Sequence, residues 1–162
     1  MSPVENALIA VKNMDVEAFC SCMTSDSATM LSRITSAVGG LGDEERDTLK
    51  SLYGLIRYTM GEESAEKDGT KTVSVTVKIP DMARICTLAE KKILVSAEPA
   101  NAVISEMLTS GEIEGYYMLD MTLEIALKEE DGKWLIPYTT KANADFVDAL
   151  YLAEMTAFFE QN

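Results

Sequence analysis

One stretch of the chain constrains the fold more than any other, because apolar and polar side chains alternate along residues 116–128. Alternation with a period of two predicts a β-strand that buries one face and exposes the other. The apolar face carries Tyr117, Leu119, Met121, Leu123, Ile125 and Leu127, and the polar face carries Asp120, Thr122, Glu124 and Lys128.

The dipeptide Asp131-Gly132 follows this strand and predicts a tight turn into a second strand over residues 133–141. A two-residue loop pairs Glu129 with Trp134, Leu127 with Ile136 and Ile125 with Tyr138. In this register Trp134, Ile136 and Tyr138 fall on the apolar face already defined. The turn and the hydrophobic pattern therefore agree on one antiparallel hairpin.

A second hairpin is predicted earlier in the chain, from residues 56–65 and 70–80 around Asp68-Gly69. If Lys67 pairs with Thr70, the register extends along both strands and sets the face of each side chain. The resulting pairs are Met60 with Val77, Tyr58 with Ile79, and Glu62 with Val75. This register places the Glu62 carboxylate on the apolar face of the sheet. The favoured alternative is that Glu62 lies at the frayed rim of the sheet, or that a bulge turns it outward.

Helical spacing of apolar residues accounts for the rest of the chain: several helices before residue 56, two between residues 81 and 111, and one over residues 145–160. The order is helices, hairpin, helices, hairpin, helix. We therefore predict an α+β fold, with a curved antiparallel sheet of about four strands packed on the N-terminal helices. Residues 1–162 form one domain, and residues 143–162 are an added C-terminal helical extension.

The charge of the chain argues against one class of partner. The 162 residues carry a net charge of −13, and the longest basic run is Lys91-Lys92. Nucleic acids and anionic membranes are bound through clusters of Lys and Arg. We therefore predict no nucleic-acid partner, and expect the acidic surface to favour solubility or a cationic partner.

The chain contains no histidine, which removes serine and cysteine triads, histidine acid–base pairs and histidine-ligated metals. Of the three cysteines, Cys20 and Cys22 lie two apart on a predicted helix, so their side chains point in different directions. Burial as small side chains is the favoured interpretation, and a metal site with the distant Cys86 is the alternative. No cofactor and no metal is predicted.

No apolar stretch approaches the ~20 residues that span a membrane, and residues 1–11 lack the pattern of a signal peptide. Two compartments follow. The chain is either a cytoplasmic protein or an extracellular domain separated from its leader, with the second slightly favoured by the resemblance described next.

Two segments carry a resemblance to a known family. The run Val-Glu-Asn-Ala-Leu-Ile-Ala-Val-Lys-Asn-Met-Asp-Val-Glu-Ala-Phe, from Val4 to Phe19, resembles the start of nuclear-transport-factor-2-like domains. Leu-Lys-Glu-Glu-Asp-Gly-Lys-Trp-Leu-Ile, from Leu127 to Ile136, resembles their last hairpin, and residues 73–81 fit a middle strand. Within that cystatin-like cone fold, the chain is similar to uncharacterised domains of Gram-positive cell-surface lipoproteins.

The resemblance implies a curved sheet around a long helix, often with an apolar pocket and with dimers formed through the sheet. The family includes isomerases, hydratases, adaptors and domains without activity, so the fold alone does not give the function. Tyr58, Tyr117, Trp134 and Tyr138 are the candidate lining of a pocket for a small apolar ligand. The alternative is that they are packed in the core of the sheet.

Three hypotheses follow. The first is a non-enzymatic binding or interaction domain of a bacterial cell-surface lipoprotein, with an unknown small apolar ligand or protein partner. The second is an enzyme of the isomerase or hydratase type, with Glu62 as base and Tyr117 or Tyr138 as hydrogen-bond donor. The third is a homodimer formed through the sheet or the C-terminal helix. An exposed Glu62 without a cavity beside it would count against the enzyme.

Overall fold

The computed structural model describes residues 1–150 and 158–162. Within them the helices and strands follow the predicted order, and the α+β fold is confirmed. The elements are α1 (Pro3–Lys12), α2 (Val16–Cys20), α3 (Ala28–Gly39), α4 (Asp43–Gly54), β1 (Arg57–Glu63), β2 (Thr70–Pro80), α5 (Met82–Ser96), α6 (Ala100–Thr109), α7 (Glu112–Tyr116), β3 (Met118–Glu130), β4 (Lys133–Leu135) and α8 (Lys141–Leu150).

The four strands form one antiparallel sheet in the order β1-β2-β3-β4, with α5 to α7 inserted between β2 and β3. The β2–β3 ladder is continuous from Thr70–Lys128 to Pro80–Met118. Its inner face is apolar and its outer face is polar, as the alternation predicted. On the outer face the Thr76 and Thr122 hydroxyl groups lie 3.1 Å apart across the two strands.

The core lies between the inner face of the sheet and the helices. On α1 the residues Val4, Ala7, Leu8 and Val11 recur at helical spacing and form a stripe that is fully buried. Asp15 then caps α2 by accepting the Ala18 N–H at 2.9 Å, which turns the chain after the α1 break. This arrangement leaves the opposite side of α1 free to face the end of the sheet.

The last hairpin keeps its predicted register but is shorter than predicted. Glu129 pairs with Trp134, whereas β4 ends at Leu135 and the predicted Leu127–Ile136 and Ile125–Tyr138 ladder pairs do not form. Pro137 follows at once and has no N–H to continue a ladder. Ile136 instead forms a parallel bridge with Met23.

Beyond the end of β4, the side chain of Asn143 forms the hydrogen bonds to β3. This residue is completely buried, its Oδ1 accepts the Ala126 N–H at 2.9 Å, and its Nδ2 donates to the Ala126 C=O at 3.0 Å. The same Nδ2 also donates to the C=O of Pro137. One amide side chain thus makes the two hydrogen bonds of a missing strand residue, so that α8 rather than a longer β4 closes the edge of β3.

The first hairpin decides between the two positions considered for Glu62. Lys67 does pair with Thr70, but β1 contains a bulge between Met60 and Glu63, and Tyr58 lies opposite Val77 rather than Ile79. The one extra residue that β1 has in this bulge turns Glu62 to the solvent, where its side chain is exposed. The favoured alternative, that a bulge turns Glu62 outward, is therefore confirmed, and the position on the apolar face is wrong.

Several helix boundaries also differ from prediction. The unpredicted α7 takes in Tyr116, and Tyr117 precedes β3. The C-terminal helix begins at Lys141 instead of Asp145 and is described to Leu150. Residues 158–161 are helical, and the part of the prediction over residues 151–157 lies outside the described residues.

Candidate functional site

A groove of about 780 Å³ runs between α1 and α2 on one side and β4 and the β1–β2 hairpin on the other. One wall is the face of α1 that does not enter the core, with Asn6 and Ile9. The other wall carries Trp134 and Lys71. The volume lies within the range of roughly 300–1,000 Å³ that is usual for ligand sites.

Trp134 and Lys71 form the best-defined contact in the groove. The Lys71 ammonium lies 4.4 Å from the centroid of the Trp134 ring and also forms an ion pair with Glu63. The Lys71 side chain is 15% exposed and the Glu63 side chain 45% exposed. A cation over an aromatic face is attracted by roughly 0.5–2 kcal/mol, depending on its exposure. The indole is therefore held in place at the wall of the groove.

The other three predicted aromatic residues do not line this groove. Tyr58 is half-buried on β1 and its hydroxyl donates to Glu5 at 3.4 Å. Partial burial and then the Glu5 carboxylate raise the pKa of Tyr58. The ring of Tyr117 lies 5.0 Å from the Arg84 guanidinium at the other end of β3.

Tyr138 lies in a depression of about 250 Å³, together with Arg33 and Thr139. Its hydroxyl donates to Asp148 at 2.9 Å, and this hydrogen bond is the main reason that the pKa of Tyr138 is raised. The four aromatic residues thus lie in four different surroundings. A ligand-binding role for Tyr58, Tyr117 and Tyr138 stays a prediction.

Glu62 borders a shallow depression of about 390 Å³ on the outer side of the sheet, with Ser74 and Glu124 among its other lining residues. The lining is polar and lies in solvent rather than against the apolar inner face. Glu62 was considered as a general base because apolar surroundings were expected for it. Its actual surroundings are polar and exposed to solvent.

Sequence reasoning missed the α1 and α2 side of the groove. One signal was present: Ile9 is apolar but lies off the buried stripe of α1, and it is 37% exposed in the structure. Glu63 and Lys71 gave no comparable signal, because charged side chains at these positions are equally expected in an exposed hairpin without a binding site. Their contact with Trp134 depends on how the hairpin meets β4.

Neither Cys20 nor Cys22 has an activated thiol. Cys22 lines the groove, and burial raises the pKa of the Cys22 thiol; burial likewise raises that of Cys20. Raised pKa values leave both thiols protonated at neutral pH and weak as nucleophiles. No cluster of potential metal ligands occurs within residues 1–150 and 158–162. In the same residues no helix is long and apolar enough to cross a membrane.

No protein-family model matches the sequence, and no curated protein matches it either. Among solved structures, the chain is similar to a candidate lipoprotein from Bacillus subtilis, with a TM-score of 0.43 and 14% identity. The match covers 81% of this chain and 49% of that chain, so this chain spans about half of that protein. A TM-score this low carries no argument about fold or function. Membership of the nuclear-transport-factor-2-like family therefore stays a prediction.

Proposed function

We propose that the chain is a non-enzymatic binding domain whose ligand lies in the groove between α1, α2 and β4. The observation that carries the proposal is Trp134 on the wall of a concavity of about 780 Å³, with Lys71 4.4 Å from its ring. An aromatic surface, a cation and the exposed Ile9 combine apolar contact with a few polar groups, as ligand sites commonly do.

Trp134 also provides the test, because it is the single tryptophan of the chain. A library of small molecules and short capped peptides is titrated while tryptophan emission is recorded. We expect members that bind to shift or quench the emission. If no compound changes it at about 1 mM, a concentration at which binding of only ~4 kcal/mol would register, the proposal fails.

Two matched variants locate the binding site. Ile9→Ser removes an exposed apolar side chain from the groove, and Leu94→Ser removes one that is 85% exposed on α5. We expect Ile9→Ser to weaken binding several-fold, since it loses roughly 1–2 kcal/mol of apolar contact, and Leu94→Ser to leave binding unchanged. Equal effects of the two variants would place the ligand elsewhere.

The finer proposal is that this domain belongs to a bacterial cell-surface lipoprotein with an extracellular location. Its support is the resemblance of residues 4–19 and 127–136 to such domains. The reading frame upstream of Met1 tests it: a leader that ends in a lipid-attachment cysteine is the expected result. A stop codon directly upstream of Met1 would contradict it.

A depression of about 390 Å³ does lie beside the exposed Glu62, but its lining is polar. The apolar surroundings that motivated the isomerase or hydratase alternative are therefore missing at Glu62. Homodimerisation stays a prediction, and light scattering on the full chain tests it. Removal of residues 143–162 is unsuitable for that purpose, since Asn143 is completely buried against β3.

A further inference from the structure

We propose that the occupant of the groove is an extended peptide segment, which adds to the sheet as a strand along the open edge of β4 at Trp134. The inference rests on the proposed function and names the class of partner for the same groove. Its basis is the direction of backbone hydrogen-bonding groups on β4.

The backbone N–H and C=O of Trp134 point away from β3. Its partner Glu129 donates its own N–H to the Gly69 C=O at 3.2 Å, on the β2 side. In an antiparallel ladder both backbone groups of a residue point to the same side, so Glu129 and Trp134 form a non-hydrogen-bonded pair. Trp134 therefore presents one donor and one acceptor along the outer edge of the sheet.

Two residues further along, the same edge is already used for strand pairing. The Ile136 N–H donates to the Cys22 C=O at 2.8 Å, and the Ile136 C=O accepts the Thr24 N–H at 3.1 Å. The pairing segment does not continue beside Trp134, because the Cys22 N–H is bonded to the Phe19 C=O at the end of α2. In the part of the chain described, no backbone group bonds to that of Trp134.

The divergence of α2 from β4 opens the groove at this point. An extended peptide on the Trp134 edge would lie between β4 and the α1 wall, where Ile9 is 37% exposed. In strand addition, main-chain hydrogen bonds supply affinity and side-chain contacts on either wall supply specificity. Both requirements are met by the same groove.

The charge of the groove is compatible with a peptide that is recognised through its backbone hydrogen bonds. Among the described residues that line it, the charged side chains are Lys71, Lys133, Glu63 and Asp15, two of each sign. In a chain of net charge −13 this is a locally balanced surface. It favours a peptide with apolar side chains over a strongly anionic or cationic ligand.

The probe is a library of capped hexapeptides, read by Trp134 emission, followed by backbone N-methylation of the tightest member. Alternate residues of a strand direct their N–H groups to opposite edges. Methylation at the residue whose N–H meets the Trp134 C=O should weaken binding about tenfold, the worth of one lost hydrogen bond, and methylation at its neighbours of the other parity should change it less than about twofold. Equal losses for both parities would overturn strand addition.

A matched pair of variants tests the same edge from the protein side. Trp134→Ala and Trp134→Pro both remove the indole, but only the proline variant also removes the backbone N–H. That N–H is not part of the β3 ladder, so proline is tolerated at this position of an edge strand. By calorimetry we expect the proline variant to bind the peptide about tenfold more weakly than the alanine variant. Equal affinities of two folded variants would contradict the proposal, and if the proline variant is unfolded, the methylation series decides alone.

The outcomes separate this inference from the proposed function. If a non-peptide compound shifts Trp134 emission and no hexapeptide does, the binding groove stands and strand addition is wrong. If neither class of compound changes the emission, both proposals fail. Amide exchange of the Trp134 N–H gives the direct readout, because a bound strand should slow it and a ligand held only by side chains should not.

Discussion

The buried amide of Asn143 is the contact through which a single substitution should change the stability of this fold most directly. It makes three hydrogen bonds to backbone groups, those of Ala126 N–H, Ala126 C=O and Pro137 C=O. Asn143→Ala removes all three partners and leaves three backbone groups without them. At about 1 kcal/mol for each bond, we expect a loss of about 3 kcal/mol in the free energy of unfolding.

Urea denaturation followed by circular dichroism measures this loss, and a thermal scan should show a Tm lower by about 6–12 °C for a chain of this size. Asn101→Ala is the matched control, because the Asn101 amide donates one hydrogen bond to Glu44 near the surface. We expect the control to lose less than about 0.5 kcal/mol. A loss at Asn143 no larger than that of the control would refute the reasoning.

Asn143→Asp sharpens the test because it keeps the shape of the side chain. One carboxyl oxygen can still accept the Ala126 N–H, but the other replaces a donor and faces two carbonyl oxygens. Burial and these oxygens should raise the folded-state pKa of the introduced carboxyl above its unfolded value of about 3.9. Because the pKa is higher in the folded state than in the unfolded state, protonation stabilises the folded variant. The difference in the free energy of unfolding between the variant and the native chain should therefore shrink as the pH falls from about 7.5 to 4.5. A deficit that grows over this range would contradict the assignment of the amide.

Three further predictions concern the backbone and one phenol. Gly61→Ala should cost about 1–3 kcal/mol, because a Cβ there would lie 2.8 Å from the Ser74 Cβ, and Ser74→Gly in the same chain should recover part of the loss in a double-mutant cycle. Ala97→Gly should stabilise the chain by about 0.5–1 kcal/mol in urea denaturation, since Ala97 has φ +56° at the end of α5, a conformation that costs an L-residue more than glycine. The pKa of Tyr138 is raised by its hydrogen bond to Asp148, so the stability from this bond is present at neutral pH and is lost as the pH rises through the raised pKa. In an ultraviolet titration, Asp148→Asn should move the ionisation of Tyr138 to lower pH. An unchanged ionisation would contradict the contact.

Much of the fold could be read from the sequence because the signals were local. The alternation in β2 and β3, and the Asp-Gly pairs with positive φ at both residues, specify two hairpins with little help from the rest of the chain. The buried stripe of α1 followed from helical spacing in the same way. The faces of these elements were therefore predicted correctly.

The candidate site was predicted only at Trp134. Its turn fixed its register with Glu129, so its face could be inferred from a few neighbouring residues. Ile9 and Lys71 come from distant parts of the chain, and only the packing of α1 and the first hairpin against β4 brings them to the same groove. No periodicity within one segment carries that information.

The sequence by itself determined which faces of the strands and helices are apolar, because side-chain direction follows from backbone period. The tertiary structure decided where the pairing of strands stops. Ala126 could have continued a ladder with a longer β4, but its hydrogen bonds go to Asn143, and Ile136 is paired by residues 22–24. The edge of Trp134 stays open because the Cys22 N–H is bonded to the Phe19 C=O at the end of α2. A backbone group bonds to whichever partner the packed fold brings nearest, and that competition between distant segments ended β4 early.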